Sequence, residues 1–307
     1  MVMNEVTVSC PATIANMVCG FDILGFAIRE PQDYITITRS AEPGLRIHHI
    51  DQFGLPEIPE HNVAGVSLLE LMAHIDPVIG FEMTIDKRIM PGSGLGSSAA
   101  SAAGSVVAAN HLLGNIFTKT DLVKFAMVGE KLASGVKHAD NISPAIFGGI
   151  TLIRSIFPLD IITLDGPALF VTVIHPQIEL KTSDARQVLR KEVKLKDAIK
   201  QWGNIGGLIT GLMKGDHDLI GRSLEDFIIE PMRSLLIPRF DELKKACLEA
   251  GALGGGIAGS GPSVFMLSRN ATVAEAVRSA MEGVYQPVGI DFNIYVTSVN
   301  YDGVKIV

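Results

Sequence analysis

Cysteine is scarce in this chain of 307 residues: Cys10, Cys19 and Cys247 are the only three, widely spaced and odd in number. None forms a CxxC pair, so neither a disulfide framework nor a zinc site is expected. A basic surplus is also missing. The formal net charge of −7 argues against a general nucleic-acid binder, which would carry a basic face. No segment reaches the roughly 18 uninterrupted apolar residues that a membrane-spanning helix needs. The opening "MVMNEVTVSCPATIANM" lacks a basic start followed by an apolar core, so it does not read as a secretion signal. Internal repeats and low-complexity tracts are absent. The expectation is a soluble, cytoplasmic protein with no nucleic-acid or membrane partner.

One further absence is more informative. Residues 91–104 read "PGSGLGSSAASAAG", a glycine–serine turn between the strand-like "GFEMTIDKRI" and a helix over Ser97–Leu113 that Gly114 ends. Strand, glycine turn and helix make an anion site, because converging backbone N–H groups and the helix N-terminus both attract negative charge. Gly92, Gly94 and Gly96 have no Cβ to keep a phosphate at a distance. Ser97 and Ser98 can cap the helix and also offer hydroxyls. Yet the Gly-Lys-Ser/Thr ending of a P-loop is missing. The bland alternative is a tight turn before a buried helix packed through small residues.

A second cluster, "LGGGIAGSGPSVFML", places Gly254, Gly256 and Gly259 at the dinucleotide-binding spacing. A helix precedes it and a strand follows, the reverse of the order that fingerprint requires, so a dehydrogenase is rejected.

The remaining pattern is mixed. Val6, Val8 and Cys10 alternate as a strand before an irregular stretch from Pro11 to Asp22, and "DYITITRS" alternates again. "NVAGVSLLELMAHI" has helical spacing behind a candidate N-cap, Asn62, and another helix spans Thr120–Ser134. "GGITLIRSI" and "ALFVTVIH" read as strands flanking a boundary near residues 157–167. "SDARQVLRKEV", "IGGLITGLMKG" and "RFDELKKACLEA" read as helices, and "PSVFMLS" and "NIYVTSV" as closing strands. The fold class is α+β, with domains expected at residues 1–160 and 161–307.

On the Thr120–Ser134 helix, Leu122, Phe125, Ala126, Gly129 and Ala133 form an apolar stripe, and Glu130 lies on its margin. No cation stands three or four residues from it on either side. A carboxylate at a core edge needs a positive partner, which a metal, a distant arginine or partial solvation would supply.

Three blocks, "PATIANMVCGFDILGFAI", "PGSGLGSSAASAAG" and "GGGIAGSGPSVFML", together resemble the superfamily of galactokinase, homoserine kinase, mevalonate kinase and phosphomevalonate kinase (GHMP kinases). The resemblance spans almost the whole chain, and the first block looks like that of homoserine kinases. It implies an N-terminal α/β nucleotide-binding domain, a C-terminal ferredoxin-like domain, and ATP-dependent phosphorylation of the side-chain hydroxyl of L-homoserine on the way to threonine. Loop amides and a helix dipole would then hold the triphosphate, with Mg²⁺ supplying the charge that a P-loop lysine otherwise does. By the same resemblance, ATP lies against Asn62, Val63, Pro91, Gly92, Ser93, Gly94, Leu95, Gly96, Ser97, Ser98, Ala99 and Ser101. The resemblance also implies Ser98 and Glu130 as the metal ligands.

Homoserine carries an ammonium, a carboxylate and a hydroxyl, so its site needs an acid and one or two arginines. The resemblance places Asn16, Asp22, Thr182 and Arg186 (of "TSDAR"), and Arg233 (of "EPMRSLLIP") there. It assigns Asn141 and His138 to positioning, leaves Asp140 as a candidate base, and counts Arg186 among the groups at the transfer. Taken singly, each has a plainer reading: Thr182 or Asn62 as a helix cap, Asp22 in a turn, the arginines on a solvated surface. One departure stands out, because relatives commonly have Leu-Gly-Pro-Gly where this chain has Met17, Val18, Cys19 and Gly20. The competing readings are the same fold acting on shikimate or mevalonate, and a non-catalytic ligand-binding relative. A homodimer is the family expectation.

Overall fold

Val6, Val8 and Cys10 do alternate inward along β1 (Glu5–Ala15), but the strand runs past the expected break at Pro11. Ala12 and Ile14 continue the buried face, and a register shift between Pro11 and Thr13 absorbs the proline. The computed structural model describes residues 4–76, 79–135, 137–180 and 182–307, and of Ser134, Thr182 and Ser183 only the backbone.

After β1 come β2 (Leu24–Ser40), β3 (Gly44–His49), α1 (Val63–Met72) and β4 (Gly80–Asp86). They are followed by α2 (Ser97–Leu112), α3 (Lys119–Ser134), α4 (Ile142–Phe147), β5 (Ile150–Ile156) and β6 (Leu159–Leu164). β2 lies between β1 and β4, β3 joins β4 in parallel, and β5 pairs with the start of β2 and with β6. The strand β6 falls where a domain linker was expected; it closes a hairpin on β5.

α2 is almost wholly buried, which explains its run of alanine, serine and glycine: larger side chains would hold it off the sheet. A Cβ on Gly104 would stand 2.2 Å from Cys10 Sγ and 2.8 Å from Ile35 Cδ1. Gly104→Ala is therefore expected to destabilise the fold by about 1–3 kcal/mol through overpacking. A urea titration should show the midpoint falling, and an unchanged midpoint would mean that α2 stands further from the sheet.

The second half comprises β7 (Phe170–Pro176), α5 (Thr182–Gln187), α6 (Leu195–Lys214), α7 (His217–Ser223) and α8 (Glu230–Arg233). It continues with α9 (Phe240–Glu249), β8 (Gly254–Ile257), β9 (Val264–Ser268), α10 (Ala271–Tyr285), β10 (Phe292–Ser298) and β11 (Lys305–Ile306). Its antiparallel sheet has the order β10-β7-β9-β8, while β11 returns to pair with β1 of the first sheet. The glycine cluster at 254–261 is a strand and the turn of a hairpin, which accords with rejecting a dinucleotide fingerprint.

Several helices differ from expectation, and the short α4, α7 and α8 are not among those read from the sequence. The one read at 183–193 stops at Gln187, since Val188 and Val193 stay exposed and offer no face to bury. The one read at 205–215 begins ten residues earlier, at Leu195; Leu195, Ile199 and Trp202 are exposed, so periodicity gives no inward stripe there. α10 was not anticipated, although Asn270 caps it and Ala274, Val277, Met281 and Val284 line its buried side. Among the described residues, no helix is long and apolar enough to cross a membrane.

Candidate active site

The three quoted blocks meet at one place. Thr13 N–H donates to Leu95 C=O at 3.1 Å, Ser263 N–H to Ser93 C=O at 3.3 Å, and Gly259 N–H to Ala15 C=O at 3.4 Å. A Cβ on Gly94, whose φ is +81°, would lie 2.6 Å from Ala258 O, so only glycine lets the two loops touch. Along their junction runs a cavity of about 390 Å³.

At the loop, α2 starts behind Gly96 with no side-chain cap. The expected serine capping does not form: Ser97 Oγ donates back to Ile89 C=O at 2.8 Å, and Ser101 Oγ to Ser97 C=O at 3.3 Å. The first turn of a sixteen-residue helix thus opens on the cavity without a side-chain oxygen across it, the geometry an anion needs.

The chain does have a lysine here, and sequence reasoning missed it. Lys87, buried at the end of β4, gives its ammonium to the carboxylate of Asp33, to Ser97 C=O at 2.6 Å and to Ser101 Oγ at 2.8 Å. These use all three donors, so Lys87 stitches the first turn of α2 to β2. Asp33 also accepts the amides of Arg88 and Ile89, which anchors the start of the loop.

Across the cavity, α3 presents Glu130, which is only 9% exposed. Burial pushes its pKa up to about 7, against the hydrogen bond from Ser98 that pulls it down. Carboxylate and hydroxyl are hard oxygen donors, and Mg²⁺ takes one or two such protein groups plus phosphate oxygens. Among the described residues, no cluster of three or more His, Cys, Asp or Glu could hold a metal. The donor set fits a cation shared with phosphates and does not form an all-protein cage.

At the other end, Arg186 Nη2 reaches Asp22 Oδ1 at 3.1 Å and Oδ2 at 3.2 Å, and His138 Nε2 at 2.9 Å. That Nε2 must be unprotonated to accept, in keeping with a His138 pKa lowered by burial and by the two nearby arginines. Arg233, deeply buried, donates Nε to Ala185 C=O at 2.9 Å and Nη1 to Gly259 C=O at 3.0 Å. Asn16 gives Nδ2 to the same Gly259 carbonyl at 2.7 Å and accepts the Asp22 amide at 3.1 Å. The ring of Phe21 lies 5.8 Å from the Arg186 guanidinium carbon and 5.0 Å from that of Arg233. Asp140 and Asn141 stand between the two ends, and burial, followed by the charges of Asp22 and Glu130, raises Asp140 to about 7.

Most of the expected site residues line this one cavity: Asn16, Asp22, Asn62, Val63, Pro91, Gly92, Gly94, Gly96, Ser97, Ser98, Ser101, Glu130, His138, Asp140, Asn141, Arg186 and Arg233. Ser93, Leu95 and Ala99 are buried behind the loop. Thr182 opens α5, but its side chain lies outside the described residues. Asn62 takes the plainer of its two readings. Its Oδ1 accepts from Ala64 and Gly65, and its Nδ2 donates to Pro56 C=O at 2.7 Å and pairs with His49 Nε2 at 3.0 Å. Every hydrogen-bonding position of its amide is used, so it caps α1 and shapes the cavity wall.

Comparison with known proteins completes the picture. The family model described as GHMP kinases N terminal domain matches residues 62–149, and GHMP kinases C terminal matches residues 208–286. The homoserine kinase of Chlorobaculum tepidum is 44% identical over 320 residues, covering 99% of each chain. The chain belongs to the homoserine kinases of the GHMP kinase family. The homoserine kinase of Chloroherpeton thalassium is 42% identical, over 99% of this chain and 100% of its own. A crystal structure of the homoserine kinase from Cytophaga hutchinsonii superposes with a TM-score of 0.96 at 45% identity, covering 100% of this chain and 98% of that one. The α+β, two-part architecture is that of the family.

The Met17-Val18-Cys19 departure directly follows Asn16, at the end of the cavity that holds Asp22 and Arg233. Asn16, Met17 and Val18 all have positive φ, at 74°, 41° and 64°, a conformation that glycine would adopt without strain. Met17, Val18 and Cys19 are buried, and Cys19 C=O is held by Gln201 Nε2 at 2.8 Å. At Val18, where relatives commonly have glycine, packing enforces a backbone that glycine favours intrinsically. Burial lifts the Cys19 thiol to about 12, which fits an inert core cysteine.

Proposed function

We infer that this enzyme transfers the γ-phosphoryl group of ATP to the side-chain hydroxyl of L-homoserine, giving O-phospho-L-homoserine for threonine synthesis. The observation that carries this reading is the charge layout of one cavity: an open helix N-terminus and Glu130 at one end, Asp22, Arg186 and Arg233 at the other. The triphosphate lies along the amides of residues 91–98, and the nucleoside beyond them beside Val63. Residues 1–160 supply this half of the site, and residues 161–307 bring Arg186, Arg233 and Gly259 to the acceptor.

Glu130 and Ser98 would hold Mg²⁺, which when bound neutralises phosphate charge. The homoserine carboxylate goes to the arginines, and its ammonium to Asp22 and the remaining lone pair of the Asn16 amide. The acceptor hydroxyl then faces Asn141 and His138, which orient it. Asp140, titrating near 7, has the pKa that a proton acceptor needs at neutral pH. Positioning and charge stabilisation supply most of the rate in phosphoryl transfer, so few groups need change protonation state.

ADP release with Mg·ATP and a panel of L-homoserine, shikimate, mevalonate and galactose tests the reading. Turnover is expected with homoserine, with the other alcohols below a hundredth of it (about 3 kcal/mol of discrimination). Preference for another alcohol would overturn the acceptor assignment, and silence with retained Mg·ATP binding would favour a non-catalytic relative.

A further inference from the structure

Thr13 is fully buried on β1, just beyond the register shift at Pro11, and does not line the cavity. Bulges of this kind re-aim a side chain. Here the hydroxyl is turned toward the junction of loop and transfer site. Thr13 Oγ1 donates to Asn141 Oδ1 at 2.8 Å. A Cβ on Gly96 would lie 1.9 Å from that hydroxyl and 3.0 Å from Asn141 Oδ1, so the pair sits flush against the last glycine of the phosphate loop. The Thr13 N–H meanwhile donates to Leu95 C=O at 3.1 Å, fixing the strand to the same loop.

An asparagine amide has one acceptor end and one donor end, and in a half-buried wall either can face inward. A buried hydroxyl needs an acceptor, and Asn141 Oδ1 provides it for Thr13. With its carbonyl oxygen committed to the wall, the amide has its NH₂ to offer to the cavity. Phosphoryl oxygens accept hydrogen bonds and donate none, so this orientation attracts them and the opposite one repels them. We propose that Thr13 is a positioning residue for phosphoryl transfer: its hydroxyl locks the Asn141 amide so that the NH₂ faces the transferring group. The inference rests on the proposed placement of Asn141 beside the acceptor hydroxyl, the atom to which the phosphoryl group transfers.

Thr13→Val removes the hydroxyl at nearly constant shape, and Thr13→Ala does so without pressing a methyl on Gly96. Either is expected to lower kcat about 10- to 100-fold, with KM for ATP and for homoserine within about threefold of wild type. Thr13→Ser keeps the donor and should restore kcat to within about threefold. Thr13→Ala/Asn141→Ala should be no slower than Asn141→Ala alone, because the hydroxyl acts only through that amide. A purely structural role would lower the melting temperature of all three Thr13 variants alike and leave kcat in place. Wild-type kcat in both Thr13→Val and Thr13→Ala, a Thr13→Ser as slow as they are, or additive losses in the double variant would overturn the proposal. If Asn141→Ala itself turns over normally, it is the placement of Asn141 that fails, and the role of Thr13 with it.

Discussion

Glu130→Gln is expected to lower turnover by about two to three orders of magnitude while leaving the melting temperature of the ligand-free enzyme unchanged or higher. The two halves of that expectation have one cause. Glu130 is held in a buried position where its charge is costly, as its pKa near 7 records. Glutamine keeps the shape and an oxygen toward Ser98 but removes the charge, so folding loses nothing. The proposed metal site loses its anionic ligand.

The sign of the pH dependence separates this from an ordinary surface carboxylate. A folded-state pKa raised from 4.5 to about 7 means that the folded protein holds the proton more tightly than the unfolded chain. That contribution to stability is fully present below 4.5 and is lost as pH rises toward and through 7. Asp140, raised from 3.8 to about 7, acts in the same direction. Between pH 5 and pH 8 the melting temperature of the ligand-free enzyme should therefore fall relative to that of Glu130→Gln, while His138 and His175, both lowered by burial, act in the opposite sense in both proteins. Kinetics over a Mg²⁺ titration give the decisive reading. If the glutamine variant reaches wild-type kcat at any Mg²⁺ concentration, Glu130 is not the metal ligand.

How far the sequence discloses this site depends on how locally each residue acts. The phosphate loop is legible because strand, glycine turn and helix adjoin along the chain. Glu130 is legible because its own helix shows the missing cation. Thr13 and Lys87 are not, since their partners Asn141 and Asp33 lie 128 and 54 residues away. No local pattern marks a threonine inside a strand or a lysine at its end as part of a site. The loop at Met17-Val18-Cys19 is a different case. Its sequence argues against left-handed backbone, and only burial against the rest of the fold imposes it. By contrast α10, with its asparagine cap and its stripe through Ala274, Val277 and Met281, carries every local sign of a helix.

Arg233→Lys should raise KM for homoserine about 30- to 300-fold while KM for ATP stays within about threefold. The guanidinium does two jobs with one plane. Two of its nitrogens hold the carbonyls of Ala185 and Gly259, and the third is the one that can turn to an acceptor carboxylate. A lysine ammonium is a point on a flexible stem and cannot span both carbonyls. Losing the Ala185 contact also loosens α5, which carries Arg186 against Asp22 and His138, so the whole acceptor end should slacken together. Leaving the Ala185 carbonyl unmet adds a stability cost of about 1–3 kcal/mol, visible as a lower urea midpoint, while Gly259 C=O keeps its bond from Asn16. The phosphate loop also touches this region, through Gly94 and Gly259, and that is what makes the KM ratio informative. Equal rises in both Michaelis constants would mean that Arg233 acts by propping the loop, and its place in the acceptor site would be lost. A rise for homoserine alone requires that the third nitrogen meet the substrate.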